Sequence, residues 1–98
     1  MDRQVLTVGD DEPVEPPLSD TLDLHTFDPR DIGELVPAWL DACVTAGFTT
    51  VRVIHGKGTG TLRRRVEAIL SRHPAVAAFE AAKDASAWGA TVATLRAR

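Results

Sequence analysis

Thr50-Val51-Arg52-Val53-Ile54-His55-Gly56-Lys57-Gly58-Thr59-Gly60 passes from a β-branched apolar run into a loop with three glycines, and the residues after it turn to helical periodicity. Strand, glycine loop and helix in that order bring bare backbone N–H groups close to a ligand. Lys57 adds a cation, and the following helix aims the positive end of its dipole at the same point. The spacing is neither Gly-x-x-x-x-Gly-Lys-Ser/Thr nor Gly-x-Gly-x-x-Gly, so both common nucleotide loops are excluded. An anion site is expected, in which Gly56, Lys57, Gly58, Thr59 and Gly60 hold phosphate. The alternative is a tight turn in which Gly58 or Gly60 supplies positive φ and Thr59 caps the helix.

Working outward, Thr49 to Ile54 forms one strand and Thr21-Leu22-Asp23-Leu24-His25 alternates as an earlier, half-buried one. Between them Asp28 offers an N-cap with Pro29 at the first helical position. Ile32, Leu35, Val36, Trp39, Leu40, Cys43 and Val44 then repeat at helical spacing up to Gly47. Pro37 removes one donor from this helix opposite Gly33, which predicts a kink or a late start. After the loop, Leu62, Val66, Ile69 and Leu70 give the second helix an apolar face, with Arg63, Arg64 and Arg65 largely off it, and His73-Pro74 ends it. Val76 to Ala82 and Ala90 to Leu95 read as two further strands joined by Lys83 to Gly89. The order is βαβαββ, an α/β fold with two helices and a four-stranded mixed sheet.

The 98 residues suit one small domain. The net charge of −3 is uneven: residues 1 to 20 hold six acidic side chains against Arg3 alone, which leaves residues 21 to 98 at +2. Residues 1–20, with Pro13, Pro16 and Pro17 among the acids, read as a flexible acidic tail, and residues 21–98 as the folded domain. A solubilising tail is the plain reading; cover of the basic loop by opposite charge is the alternative. A single cysteine, Cys43, excludes a disulfide framework and a Cys-based zinc site and reads as core. No stretch has the length of a membrane span and the N-terminus lacks a signal pattern, so a cytoplasmic setting without membrane contact is expected.

A right-handed crossover makes the first two strands parallel, so their carboxyl ends share one edge. His25 and the glycine loop become neighbours there. If the third strand follows its helix in parallel and the fourth returns as a hairpin, Trp88 and Gly89 reach the same rim, the usual ligand edge of an open α/β sheet. Asp23, His25 and His55 are the candidate catalytic residues, because imidazoles suit proton transfer from water or a ribose 2′-hydroxyl while Lys57 and amide donors hold developing charge on phosphate. Each has a plainer reading. Asp23 accepts backbone hydrogen bonds at a strand end, the histidines hold phosphate without moving protons, and Arg63, Arg64, Arg65 and Arg72 form a solvated face; beside an anion loop such a face can instead track a phosphate backbone, so Arg63 and Arg64 join Trp88 and Gly89 as candidate nucleic-acid-binding residues, with Trp88 either core or a base-stacking platform. A divalent metal such as Mg is conceivable beside Asp23, His25 and His55, but no helical metal-ligand spacing is present and no metal ligand is assigned.

Leu22-Asp23-Leu24-His25, His55-Gly56-Lys57-Gly58-Thr59-Gly60 with Leu62-Arg63, His73-Pro74 and Trp88-Gly89-Ala90-Thr91 together resemble the Smr (small MutS-related) domain over residues 21 to 96. The resemblance implies a two-layer α/β sandwich like the C-terminal domain of a bacterial translation initiation factor. It also implies nicking of DNA, or cleavage of messenger RNA on stalled ribosomes. DNA or RNA is then the expected partner, with the ribosome a further one, and a MutS-like ATPase is not part of this chain. Thr26 stands where the family usually has glycine, and Ser86 and Ala87 where it usually has a glycine pair, which adds bulk beside His25 and stiffens the third rim segment. The leading expectation is a nicking endonuclease. A non-catalytic RNA or ribosome adaptor using the same loop is the alternative, and an enzyme acting on a small phosphorylated metabolite is weaker, because no base or sugar pocket is specified.

Overall fold

Alternating apolar residues dictate the sheet, and the helical repeats dictate what covers it. A computed structural model describes residues 18–58, 60–83 and 89–96. It contains β1 (Thr21–Asp23), α1 (Ile32–Ala46), β2 (Thr50–Ile54), α2 (Thr61–Arg72), β3 (Val76–Ala81) and β4 (Ala90–Leu95), with 3₁₀ turns at Leu24–Thr26 and Pro29–Asp31. The sheet order is β1-β2-β4-β3. β1 runs parallel to β2, and β4 is antiparallel to both of its neighbours. Both crossovers advance in the same direction across the sheet, so the right-handed rule puts α1 and α2 on one face. The result is a two-layer α/β sandwich with a mixed sheet.

Register separates the two faces. Leu22 pairs with Val53 and Val53 with Thr91, while Val51 pairs with Ala93; all are buried and form the inner face with Ile32, Val36, Leu40 and Cys43 of α1 and Val66 and Leu70 of α2. Thr21, Arg52 and Val92 lie in a row on the other face, where Asp23 also points. Burial pushes the Cys43 thiol up to about 11, with Asp20 adding to the effect, so it packs as an apolar group.

Two expectations are corrected. The first strand stops at Asp23 and not at His25, because the Asp23 carboxylate accepts the His25 N–H at 2.9 Å and turns the chain into a 3₁₀ turn. Asp28 does cap at Pro29, but onto the turn Pro29–Asp31, and α1 begins only at Ile32. It then runs through Pro37. The fourth strand returns as the expected antiparallel hairpin on β3 and lies between β2 and β3. The third strand ends at Ala81 and the second begins at Thr50. The tail expected over residues 1–20 falls, up to residue 17, outside the described residues, as do Thr59, Ser86, Ala87 and Trp88.

Candidate functional site

The carboxyl edge gathers three chain segments around Gly56. The β2–β4 ladder ends on the Gly89 carbonyl, which accepts both the His55 and the Gly56 N–H at 2.9 Å. Gly56 has φ +84°, and a Cβ added there would lie 2.9 Å from His25 Nε2. A side chain at Gly56 would therefore be strained twice, by its own backbone and by the imidazole. Gly89 is buried, and a Cβ on it would meet the Lys57 stem at 3.5 Å and the Gly56 backbone at 3.7 Å. The ends of β1, β2 and the start of β4 thus meet, with Lys57 laid across the junction.

His25 is anchored by Asp23. Its Nδ1–H donates to Asp23 Oδ1 at 2.8 Å, and the same oxygen accepts the His25 backbone N–H. The backbone N–H first, and the imidazole after it, hold the Asp23 carboxyl below its ordinary value of 3.8. With Nδ1 so engaged, neutral His25 keeps its lone pair on Nε2, the atom beside Gly56. Its side chain is 62% exposed and that of Asp23 51%. Asp23 thus fills its plain role at a strand end and orients an imidazole as well.

His55 is placed differently. It is 5% exposed. Its Nδ1–H donates to the Gly56 carbonyl at 3.0 Å, and its Nε2 accepts from Thr91 Oγ1 at 2.9 Å. Both ring nitrogens are used inside the protein, so the expectation of a second imidazole facing ligand beside Lys57 is corrected. The reason is strand parity: Val51, Val53 and His55 share the inner face, whereas Leu22 and Leu24 point inward and leave Asp23 and His25 outside.

The helix end adds charge. Gly60 is the N-cap of α2 at φ +88°, and no acidic residue occupies the first turn. A Cβ at Gly60 would meet Arg64 Nη1 at 3.1 Å and Arg63 Nη2 at 3.9 Å, so both guanidinium groups reach back to the N-terminus. Negative charge is the stabilising sign at that position. Arg63 Nε is buried without a hydrogen-bond partner, and the first N–H groups of a helix lack intrahelical acceptors. A cleft of about 310 Å³ lies here, lined by Pro29, His55, Gly56, Gly58, Leu62 and Arg63 among others. Arg63 and Arg64, which the sequence offered either as a solvated face or as phosphate contacts, are thus placed beside Gly60.

Larger than this cleft is one of about 480 Å³ formed by Asp41, Val44, His73, Ala75 and Arg96 among others. It lies at the opposite end of the sheet, where strands β3 and β4 begin and end. His73 Nε2–H donates there to Asp41 at 2.8 Å, and its Nδ1 accepts the Ala75 N–H at 3.1 Å. This imidazole ends α2 and has no free nitrogen. Among the described residues no three His, Cys, Asp or Glu side chains are placed to share a metal ion.

The Smr domain family model matches residues 22–96. The chain belongs to the Smr domain family. It is similar to the solved Smr domain of Thermus thermophilus MutS2, at 32% identity and TM-score 0.68 over 78% of this chain and 96% of that one. The fold is also that of YdaL, a stand-alone small MutS-related protein from Escherichia coli, with TM-score 0.71 at 24% identity over 83% of this chain and 66% of that one. A relative called endonuclease MutS2 from Ligilactobacillus salivarius is 41% identical over 76 residues, 76% of this chain and 10% of that protein. Another of that name from Thermomicrobium roseum is 54% identical over 44 residues, 45% of this chain and 6% of its own length. The chain therefore spans a tenth or less of these curated relatives. No helix among the described residues is long and apolar enough to cross a membrane.

Proposed function

We propose that this Smr domain binds nucleic acid through its phosphodiester backbone and nicks it at the rim, with His25 as the group that moves the proton. The observation that carries this reading is the Asp23–His25 pair, 2.8 Å apart, holding Nε2 against the glycine loop, next to a helix end that already carries Arg63 and Arg64. The name endonuclease, given to the MutS2 relatives, supports it.

In the proposed reaction a phosphate group sits over the Gly56–Gly60 loop. His25 Nε2 takes a proton from a water, or from a ribose 2′-hydroxyl where the strand is RNA, as that oxygen attacks phosphorus. The new P–O bond forms as the bond to the leaving oxygen breaks, and the leaving oxygen is protonated in turn by solvent or by the imidazolium. Lys57, Arg63 and the amide groups of the loop and helix end neutralise charge on the non-bridging oxygens. Asp23 stabilises the imidazolium, and His55 only positions the Gly56 carbonyl from below.

The locked state of His55 favours a second reading, a non-catalytic adaptor on RNA or the ribosome, because one exposed imidazole is enough to hold phosphate. One experiment separates the two. Purified protein is incubated with end-labelled DNA and RNA, and wild type is compared with His25→Ala and Arg63→Ala. Nicking requires that His25→Ala lose cleavage by about 10²- to 10⁴-fold while keeping binding, and that Arg63→Ala lower affinity and the salt slope. Binding with no cleavage by wild type under any divalent cation condition would leave the adaptor.

A further inference from the structure

The segment joining His25 to Pro29 is braced along its whole length. Phe27 N–H donates to the Leu24 carbonyl at 3.1 Å. Asp28 accepts the Arg30 N–H at 2.9 Å and pairs with its guanidinium at 3.0 Å, which holds the Asp28 carboxyl below its usual range. Arg65 reaches across from α2 and donates to the Pro29 carbonyl at 2.8 Å. At one end of the segment His25 leans on Gly56, and at the other Pro29 lines the cleft beside Gly56 and Arg63. Phe27 is two residues from each, so its Cα lies within about 8 Å of both.

Phe27 is 40% exposed, one of two large apolar side chains left so among the described residues. A single exposed phenylalanine is ordinary on a protein surface. This one is a flat ring on a hydrogen-bonded segment, between a residue that lies against Gly56 and one that lines the cleft. The phosphate contacts of that site touch no base. An aromatic face beside such a site suits base stacking, which every base offers when its partner strand is absent. In a continuous duplex each base face is covered by its neighbour, and the ring gains a partner only if a nucleotide leaves the stack.

We infer that Phe27 is a stacking platform for an unpaired nucleobase whose phosphate lies on the glycine loop, so the chain prefers single-stranded or locally unpaired nucleic acid over an intact duplex. The inference rests on the phosphate-binding reading above and adds the substrate class.

The test measures binding of the full chain by fluorescence anisotropy to single-stranded DNA, single-stranded RNA and blunt duplexes of equal length, with a 2-aminopurine strand reporting stacking. Phe27→Ala is expected to weaken both single strands by about 5- to 150-fold and to leave duplex affinity within about twofold, since one stacked base contributes about 1–3 kcal/mol. Phe27→Trp retains single-strand affinity, whereas Phe27→Leu, apolar but not flat, behaves as alanine does. Thermal melts of all three variants check folding. Unchanged single-strand affinity in Phe27→Ala, with steep salt dependence kept, overturns the platform and leaves the phosphate site standing. Equal losses on strand and duplex overturn it too, since the ring then serves packing. If wild type binds no nucleic acid, both readings fall. A loss on RNA alone or DNA alone keeps the platform and names the sugar.

Discussion

Two histidines flank the same glycine from opposite sides. His25, at the end of β1, is mostly exposed, anchored through Nδ1 to Asp23 and open at Nε2. His55, at the end of β2, is buried, with one nitrogen on the Gly56 carbonyl and the other on Thr91. One residue type thus serves two ends. An imidazole with a carboxylate behind it and solvent in front is equipped to exchange protons, and one with both nitrogens satisfied inside the protein is a strut for the backbone.

The sharpest way to break this comparison is to remove each ring in turn. His25→Ala is expected to lower cleavage by about 10²- to 10⁴-fold with an unfolding midpoint near wild type; Thr91→Val, which strands His55 Nε2, is expected instead to cost about 1–3 kcal/mol in urea unfolding. If Thr91→Val leaves stability alone and His25→Ala melts the protein, the roles are reversed. Gly56→Ala tests the contact between the two regions. The positive φ and the 2.9 Å approach to His25 should together cost about 1–3 kcal/mol and displace Nε2, so that a stability loss comes with a cleavage loss. Arg63→Ala has a milder expected effect, a fall of about one in the slope of log affinity against log salt, measured by titration at several salt concentrations.

The smallest effect concerns pH. The folded Asp23 carboxyl lies below its ordinary 3.8, so the unfolded chain binds more protons in the window just below that value. The stabilisation from Asp23 is then present above pH about 4 and lost as pH falls through the depressed folded value. Asp23→Asn removes that dependence. Denaturant midpoints of wild type and Asp23→Asn, compared from pH 6 down to pH 3, are expected to converge at the acid end. A gap that widens toward acid would mean that Asp23 does not anchor His25.

Much of this arrangement was legible beforehand. The boundaries of β4 agree with the reading from alternation, both helices follow their apolar repeats, and Gly47 ends α1 in the left-handed region at φ +88°. Strand parity carried a finer signal than first drawn from it: counting inward residues from Val51 and from Leu22 already puts His55 inside and His25 outside. What local pattern did not carry was partner choice. Nothing in Ala90–Leu95 says that it pairs with both β2 and β3, because ladder hydrogen bonds are made by backbone groups that every residue shares. The stop of β1 at Asp23 was hidden for a related reason, since a side chain taking the next N–H competes with the ladder over a single residue.

The amino-acid order by itself determined the elements, the glycine loop and the chemical types that can meet a phosphate, because these follow from periodicity and from side chains near in sequence. Tertiary structure decided which of them meet. The insertion of β4 brings Gly89 and Thr91 against the loop, buries His55 and lets His25 rest on Gly56. Such contacts between distant residues depend on how the layers close over their shared core, and no stretch of the chain specifies that alone.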